Sequence, residues 1–215
     1  MNRQTRQERQ TRVFWVQNQK KTLAALAVLA VQLLGASPAS ADPYGDPPMK
    51  REGFAAGIAI GPGIFKGAGG MDDLQGVGGD LNLRIGTTAG GNLLWLMEVV
   101  AGGYLVEVTS AEVAGGVDQT YNALSTLTFG AQIYLREALW LRGGAGFATF
   151  LEREGRSGVV EEDSRRAGVG FIGGGGYDFF RRGRFAVSIE LASTVGAFRS
   201  GPLGQASVLL GLAWY

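Results

Sequence analysis

From Gly53 to the last residue, large apolar side chains recur at every second position through eight consecutive segments. A period of two marks a strand whose two faces meet different surroundings. In VGGDLNLRIG, Val77, Leu81, Leu83 and Ile85 point one way, while Asp80, Asn82 and Arg84 point the other. The same split separates Trp95, Met97 and Val99 from Glu98, and Leu139 and Leu141 from Arg142. It separates Tyr177 and Phe179 from Asp178, and Ile189 and Leu191 from Glu190. Each segment reaches the roughly 9–11 residues that cross a bilayer at a tilt. The pattern predicts an all-β fold, an eight-stranded antiparallel up-and-down transmembrane β-barrel.

The connections alternate as well. Long polar stretches follow strands one, three and five, at Lys66–Gly76, Tyr104–Gln119 and Glu152–Arg166. Short ones follow strands two, four and six, at Gly86–Asn92, Arg136–Ala138 and Arg181–Arg184. Long loops at one end and tight turns at the other describe an outer-membrane barrel with both termini in the periplasm. A basic residue at mid-depth on a lipid-facing surface costs about 2–4 kcal/mol. The six charges Asp80, Arg84, Glu98, Arg142, Asp178 and Glu190 are therefore expected to line the lumen. The outward aromatics Phe54, Trp95, Phe179, Phe185 and Trp214 then sit beside tight turns or termini, as a girdle at the periplasmic interface. A soluble lipocalin-like barrel would reverse these faces and hold a ligand inside. The apolar face has too few polar interruptions, and the other too much Gly, Ala and Thr, for that arrangement.

The first 41 residues carry six basic residues and one acid, a net of +5; the other 174 carry 14 basic and 18 acidic residues, a net of −4. The basic head runs into the apolar TLAALAVLAVQLLGA and then Ala39-Ser40-Ala41, the layout of a secretory signal peptide. Residues 1–41 are thus read as signal peptide, 42–52 as a Pro-rich periplasmic linker and 53–215 as barrel. An uncleaved anchor is the competing reading of the long basic head.

The chain has no Cys and no His. That removes disulfides, thiolate nucleophiles, the commonest metal ligand and the commonest general base. Gly168-Val-Gly-Phe-Ile-Gly173 matches a dinucleotide fingerprint but lacks the strand before it and the helix it must open. No enzyme activity, cofactor, metal or nucleic-acid partner is expected.

Signal peptide, eight alternating strands and a terminal aromatic pair, Trp214-Tyr215, resemble the small outer-membrane β-barrels of the OmpA transmembrane-domain and OmpX type, over Gly53 to Tyr215. In that family large residues alternate back from a terminal aromatic. Here the stronger set is Trp214, Leu212, Leu210 and Val208, one residue off. The resemblance implies recognition by the barrel-assembly machinery and contact with outer-membrane lipid and lipopolysaccharide. The peptidoglycan-binding domain of full-length OmpA-like proteins is not expected.

The lumen charges read either as a structural network plugging the barrel or as the lining of a pore. The third long connection, EREGRSGVVEEDSRR, reads as a solvated loop or as an adhesive surface. Small residues gather on the lipid face of strands five and six, at Gly143, Ala145, Gly173 and Gly175. Pairing Leu151 with Ala167 would set Gly143 opposite Gly175 and Ala145 opposite Gly173. That patch serves barrel curvature, or it seats a lipid chain or a second protomer, which would make the protein a homo-oligomer. The overall expectation is a structural or surface-interaction barrel presenting long loops, with a narrow porin or small-molecule transporter as the alternative. Export predicts cleavage after Ala41: the intact mass of protein taken from outer membranes should correspond to a chain beginning at Asp42, and retention of Met1 would refute the export route.

Overall fold

The computed structural model describes residues 51–108, 118–156 and 159–215. The signal peptide and most of the linker lie outside the described residues. Eight strands follow one another: β1 (Phe54–Gly67), β2 (Gln75–Gly90), β3 (Leu93–Val108), β4 (Asp118–Tyr134), β5 (Leu139–Arg156), β6 (Val159–Arg182), β7 (Phe185–Phe198) and β8 (Gly201–Trp214). Each pairs antiparallel with its neighbours in sequence, and β1 pairs with β8 to close the barrel. Closure leaves no unpaired edge in the ring, which is the condition for strands to stand in lipid. The partners Gly57, Arg84, Glu98, Thr128, Gly146, Gly170, Gly196 and Leu203, followed once around the ring, return to β1 at Gly67. The walk from Gly57 to Gly67 is a stagger of ten residues, so the strands are strongly tilted.

The faces fall as the alternation requires. Phe147 is 74% exposed and Phe129 64%, on the outside, while Asn82 and Glu190 are fully buried inside. An apolar exterior around a polar interior is the inverse of a lipocalin. Inward glycines make so narrow a barrel possible. A β-carbon at Gly146 would overlap the Leu127 carbonyl oxygen, and one at Gly130 the Gly143 carbonyl oxygen. In the β6–β7 turn Gly183 takes φ 59°, a left-handed conformation that glycine adopts without penalty.

The structure corrects the reading of the connections. The first long loop is short and folded: one 3-10 turn, Gly69–Met71, buries Met71. Its backbone is tied by Gly67 N–H to the Leu74 carbonyl and Ala68 N–H to the Pro202 carbonyl. Most of the third loop is strand. β5 and β6 stay paired out to Arg156 and Val159, through a bulge between Glu154 and Gly155. Charged residues fall at both odd and even positions of that sequence, so the period-two contrast vanishes there although the ladder continues. Strands span 14 to 24 residues, well beyond the crossing minimum.

Two apolar clusters occupy the ends of the lumen. At the end where β1 begins and β8 finishes lie Ala55, Leu94, Leu96, Tyr134, Trp140, Ala186, Ala213 and Tyr215. At the far end lie Phe65, Met71, Tyr104, Leu124, Phe150 and Leu203, with Leu74 and Phe198 packed on them. Overpacking a tight interior costs about 1–3 kcal/mol. Gly146→Ala should therefore lower the urea midpoint in micelles, whereas Gly173→Ala, whose added carbon meets nothing within 4 Å, should leave it unchanged.

Candidate functional site

Between the two apolar clusters the lumen holds the charges. Arg84 on β2 stands opposite Glu98 on β3 and opposite Gly57 on β1. The missing side chain at Gly57 leaves room for the guanidinium, because a β-carbon there would strike it. Arg84 reaches across to Glu190 on β7 with both terminal nitrogens, one of them at 2.8 Å. Arg142 on β5 binds the same carboxylate at 2.9 Å and lies 3.3 Å from Glu98. Asn82 Nδ2 donates to Glu98, and Ser188 Oγ donates to Glu190 at 2.8 Å. Both guanidinium groups also face the Trp140 ring, at 5.5 and 5.3 Å from its centroid. Two arginines, two glutamates and an indole thus form one connected group.

Asp178 joins that group through the indole and forms no ion pair with Arg84 or Arg142. It accepts from Trp140 Nε1 at 2.9 Å and lies 3.8 Å from Arg51. Arg51 stands just before β1, yet its side chain is only 7% exposed. Its guanidinium lies 3.4 Å from the Tyr134 ring centroid, and it donates to the Glu137 carbonyl. The Tyr134 and Tyr215 hydroxyls bond to each other beside it. The sequence reading missed Arg51, which sits in a linker with no alternation to assign it a face. Its one signal is that it is the last basic residue before the first strand. Asp80 makes no ion pair among the described residues. Ser207 and Gln205 stand beside its carboxylate instead.

The girdle residues Phe54, Trp95, Phe179, Phe185 and Trp214 are all exposed on the outer surface. They lie toward the end where β1 begins and β8 finishes. Trp95 stacks on Phe129 at 5.8 Å.

The small-residue patch has another register than the one expected. Leu151 pairs with Arg165, so Gly143 faces Gly173, Ala145 faces Phe171, and Leu141 faces Gly175. The β5–β6 ladder is slid by two residues, which preserves every side chain's face. Gly175 is covered, since a β-carbon there would touch the Leu141 side chain. The row that stays open runs obliquely through Ala131, Gly143, Gly173, Ser193 and Ala206, across β4 to β8.

The sequence matches no family model. It matches no curated protein. In three dimensions the barrel resembles Ail, the attachment invasion locus protein of Yersinia pestis, solved with the heparin analogue sucrose octasulfate. The TM-score is 0.55 at 13% identity, over 76% of this chain and 99% of that one. The chain has the fold of a small outer-membrane β-barrel. Neisserial surface protein A matches with a TM-score of 0.46 at 10% identity, over 76% of this chain and 97% of that one. OprG, an outer membrane protein of Pseudomonas aeruginosa, matches with a TM-score of 0.44 at 11% identity, over 79% and 100%.

Removing one partner from a buried ion network strands the others and costs about 3–5 kcal/mol. Arg142→Met, which strips a cation from both Glu98 and Glu190, should lower unfolding stability by that order. Arg136→Met, on the exposed β4–β5 turn, should lower it by far less. Equal losses would mean the network adds nothing to stability.

Proposed function

We propose that this protein is exported by a signal peptide cleaved after Ala41 and works as a non-catalytic, non-conducting surface-interaction barrel in the Gram-negative outer membrane. The observation that carries this reading is a sheet rising from the far end. There β3, β4, β5 and β6 stay paired with one another beyond the rest of the ring: β3 pairs with β4 out to Val108 and Asp118, and β5 with β6 out to Arg156 and Val159. β6 first meets β7 at Val169. From Val159 to Gly168, its outer edge therefore has no strand partner among the described residues. Unpaired N–H and carbonyl groups on a strand edge are a template for an extended segment of another protein. The lumen supports the same reading from the other side. Apolar clusters occupy both its ends and arginine–glutamate pairs fill its middle, which leaves little room for a solute to pass.

Contact with lipopolysaccharide fits the outward basic residues Lys66, Arg165 and Arg199, all exposed at the far end. Phosphate groups on a membrane surface are met there by positive charge. Recognition by the barrel-assembly machinery stays part of this reading.

Two measurements test it. Purified, refolded protein in planar bilayers should give no stepwise conductance; reproducible openings would favour the narrow porin. Cells displaying the barrel should attach to protein-coated and glycan-coated surfaces better than cells displaying a version with residues 153–164 replaced by a tight turn. Equal attachment at equal surface yield would count against the projecting sheet as the working part.

A further inference from the structure

The charges of the lumen do not cancel. Below the outer apolar cluster the described residues include four buried carboxylates, Asp80, Glu98, Asp178 and Glu190, and three buried guanidinium groups, Arg51, Arg84 and Arg142. Glu98 and Glu190 share Arg84 and Arg142, and Asp178 has Arg51. The one carboxylate left without a cation is Asp80, and it is 3% exposed. An isolated carboxylate in such a place costs several kcal/mol unless something offsets its charge.

The surroundings of Asp80 are built from oxygen donors and absent side chains. On β1 it faces Gly61, and on β3 it faces Gly102. Gln205 reaches over from β8, and its amide occupies the space a β-carbon at Gly102 would take. Gln205 Nε2 donates to Ser207 Oγ at 3.2 Å, which leaves the amide oxygen free to face elsewhere. Asp80 Oδ1, Gln205 Oε1, Asn82 Oδ1, Thr126 Oγ1 and Thr128 Oγ1 are all buried, and none has a hydrogen-bond partner. Gln205, Thr126 and Thr128 are each 2% exposed and Asn82 is 0% exposed.

We propose that this cluster of buried oxygens binds one alkali cation, sodium or potassium, held by the Asp80 carboxylate and the Gln205 amide oxygen, with neutral oxygens of Asn82 and the β4 threonines completing its shell. Hard oxygen donors suit a hard cation, and no nitrogen or sulfur ligand competes for a transition metal. A single carboxylate among neutral oxygens balances one positive charge, whereas calcium sites usually gather more anionic ligands. With the ion in place the lumen is neutral. The apolar clusters at both ends make it a structural ion, captured as the barrel closes.

The test uses the full barrel refolded into micelles in sodium, potassium or choline chloride at equal ionic strength. Stability of the wild type should be higher in the alkali salts and rise with the logarithm of their concentration, as for any ligand of the native state. Asp80→Asn should show the same urea midpoint in all three salts. Refolding in radioactive sodium chloride, followed by gel filtration into choline chloride, should retain close to one sodium per wild-type chain and none on Asp80→Asn. Identical wild-type midpoints in sodium, potassium and choline, or no retained sodium on the wild type, would overturn the site and leave Asp80 to carry a proton instead. The retention measurement decides the matter even if Asp80→Asn does not fold.

Discussion

Lipid offers no hydrogen bonds, and every other feature of this chain follows from that. A strand in hydrocarbon must pair all of its backbone groups with other strands, so the sheet has to close. Closure with eight strands and a ten-residue stagger gives a cylinder just wide enough for side chains to fill it. The polar residues that could not face lipid therefore meet one another at short range in a space without bulk water. They end up as Arg84 and Arg142 clasping Glu190, with Trp140 over both guanidinium groups.

The interior is then a layered core. Aromatic and aliphatic residues occupy its two ends, and the charges occupy the middle. Size is balanced across strands rather than along them. Arg142 stands opposite Gly174, Glu190 opposite Gly176, and Arg84 opposite Gly57. A long side chain on one strand is accommodated by a bare backbone on the next. The abundance of glycine, which looks like looseness in the sequence, is what admits large polar groups to a narrow tube.

Much of this was legible because alternation is local information. Which face a residue takes depends only on its neighbours at i±1 and i±2, so Asp80, Glu98 and Glu190 could be placed inside from their own segments. Register is not local. The slide that sets Gly143 against Gly173 is decided by where the β5–β6 hairpin turns, in a stretch whose charges fall at odd and even positions alike, where the period has nothing to act on. Pairing partners inside the lumen were equally hidden. Glu190 draws its arginines from β2 and β5, 106 and 48 residues away. Arg51 lies beyond the first strand, where no pattern speaks for it.

The placement of Arg51 bears on how the barrel comes apart. It sits at the very start of the ring, Tyr215 at its end, and Tyr134 in the middle of the chain, yet the three are stacked and hydrogen-bonded around Asp178. The contacts of Tyr215 with Arg51 and Tyr134 need the end of the ring folded back beside its start, so they are absent while the ring is still open. Interactions missing from the transition state leave the folding rate nearly unchanged and slow the reverse step. The Tyr215 contacts therefore act as a clasp on the seam, one that lengthens the lifetime of the closed barrel rather than hastening its formation.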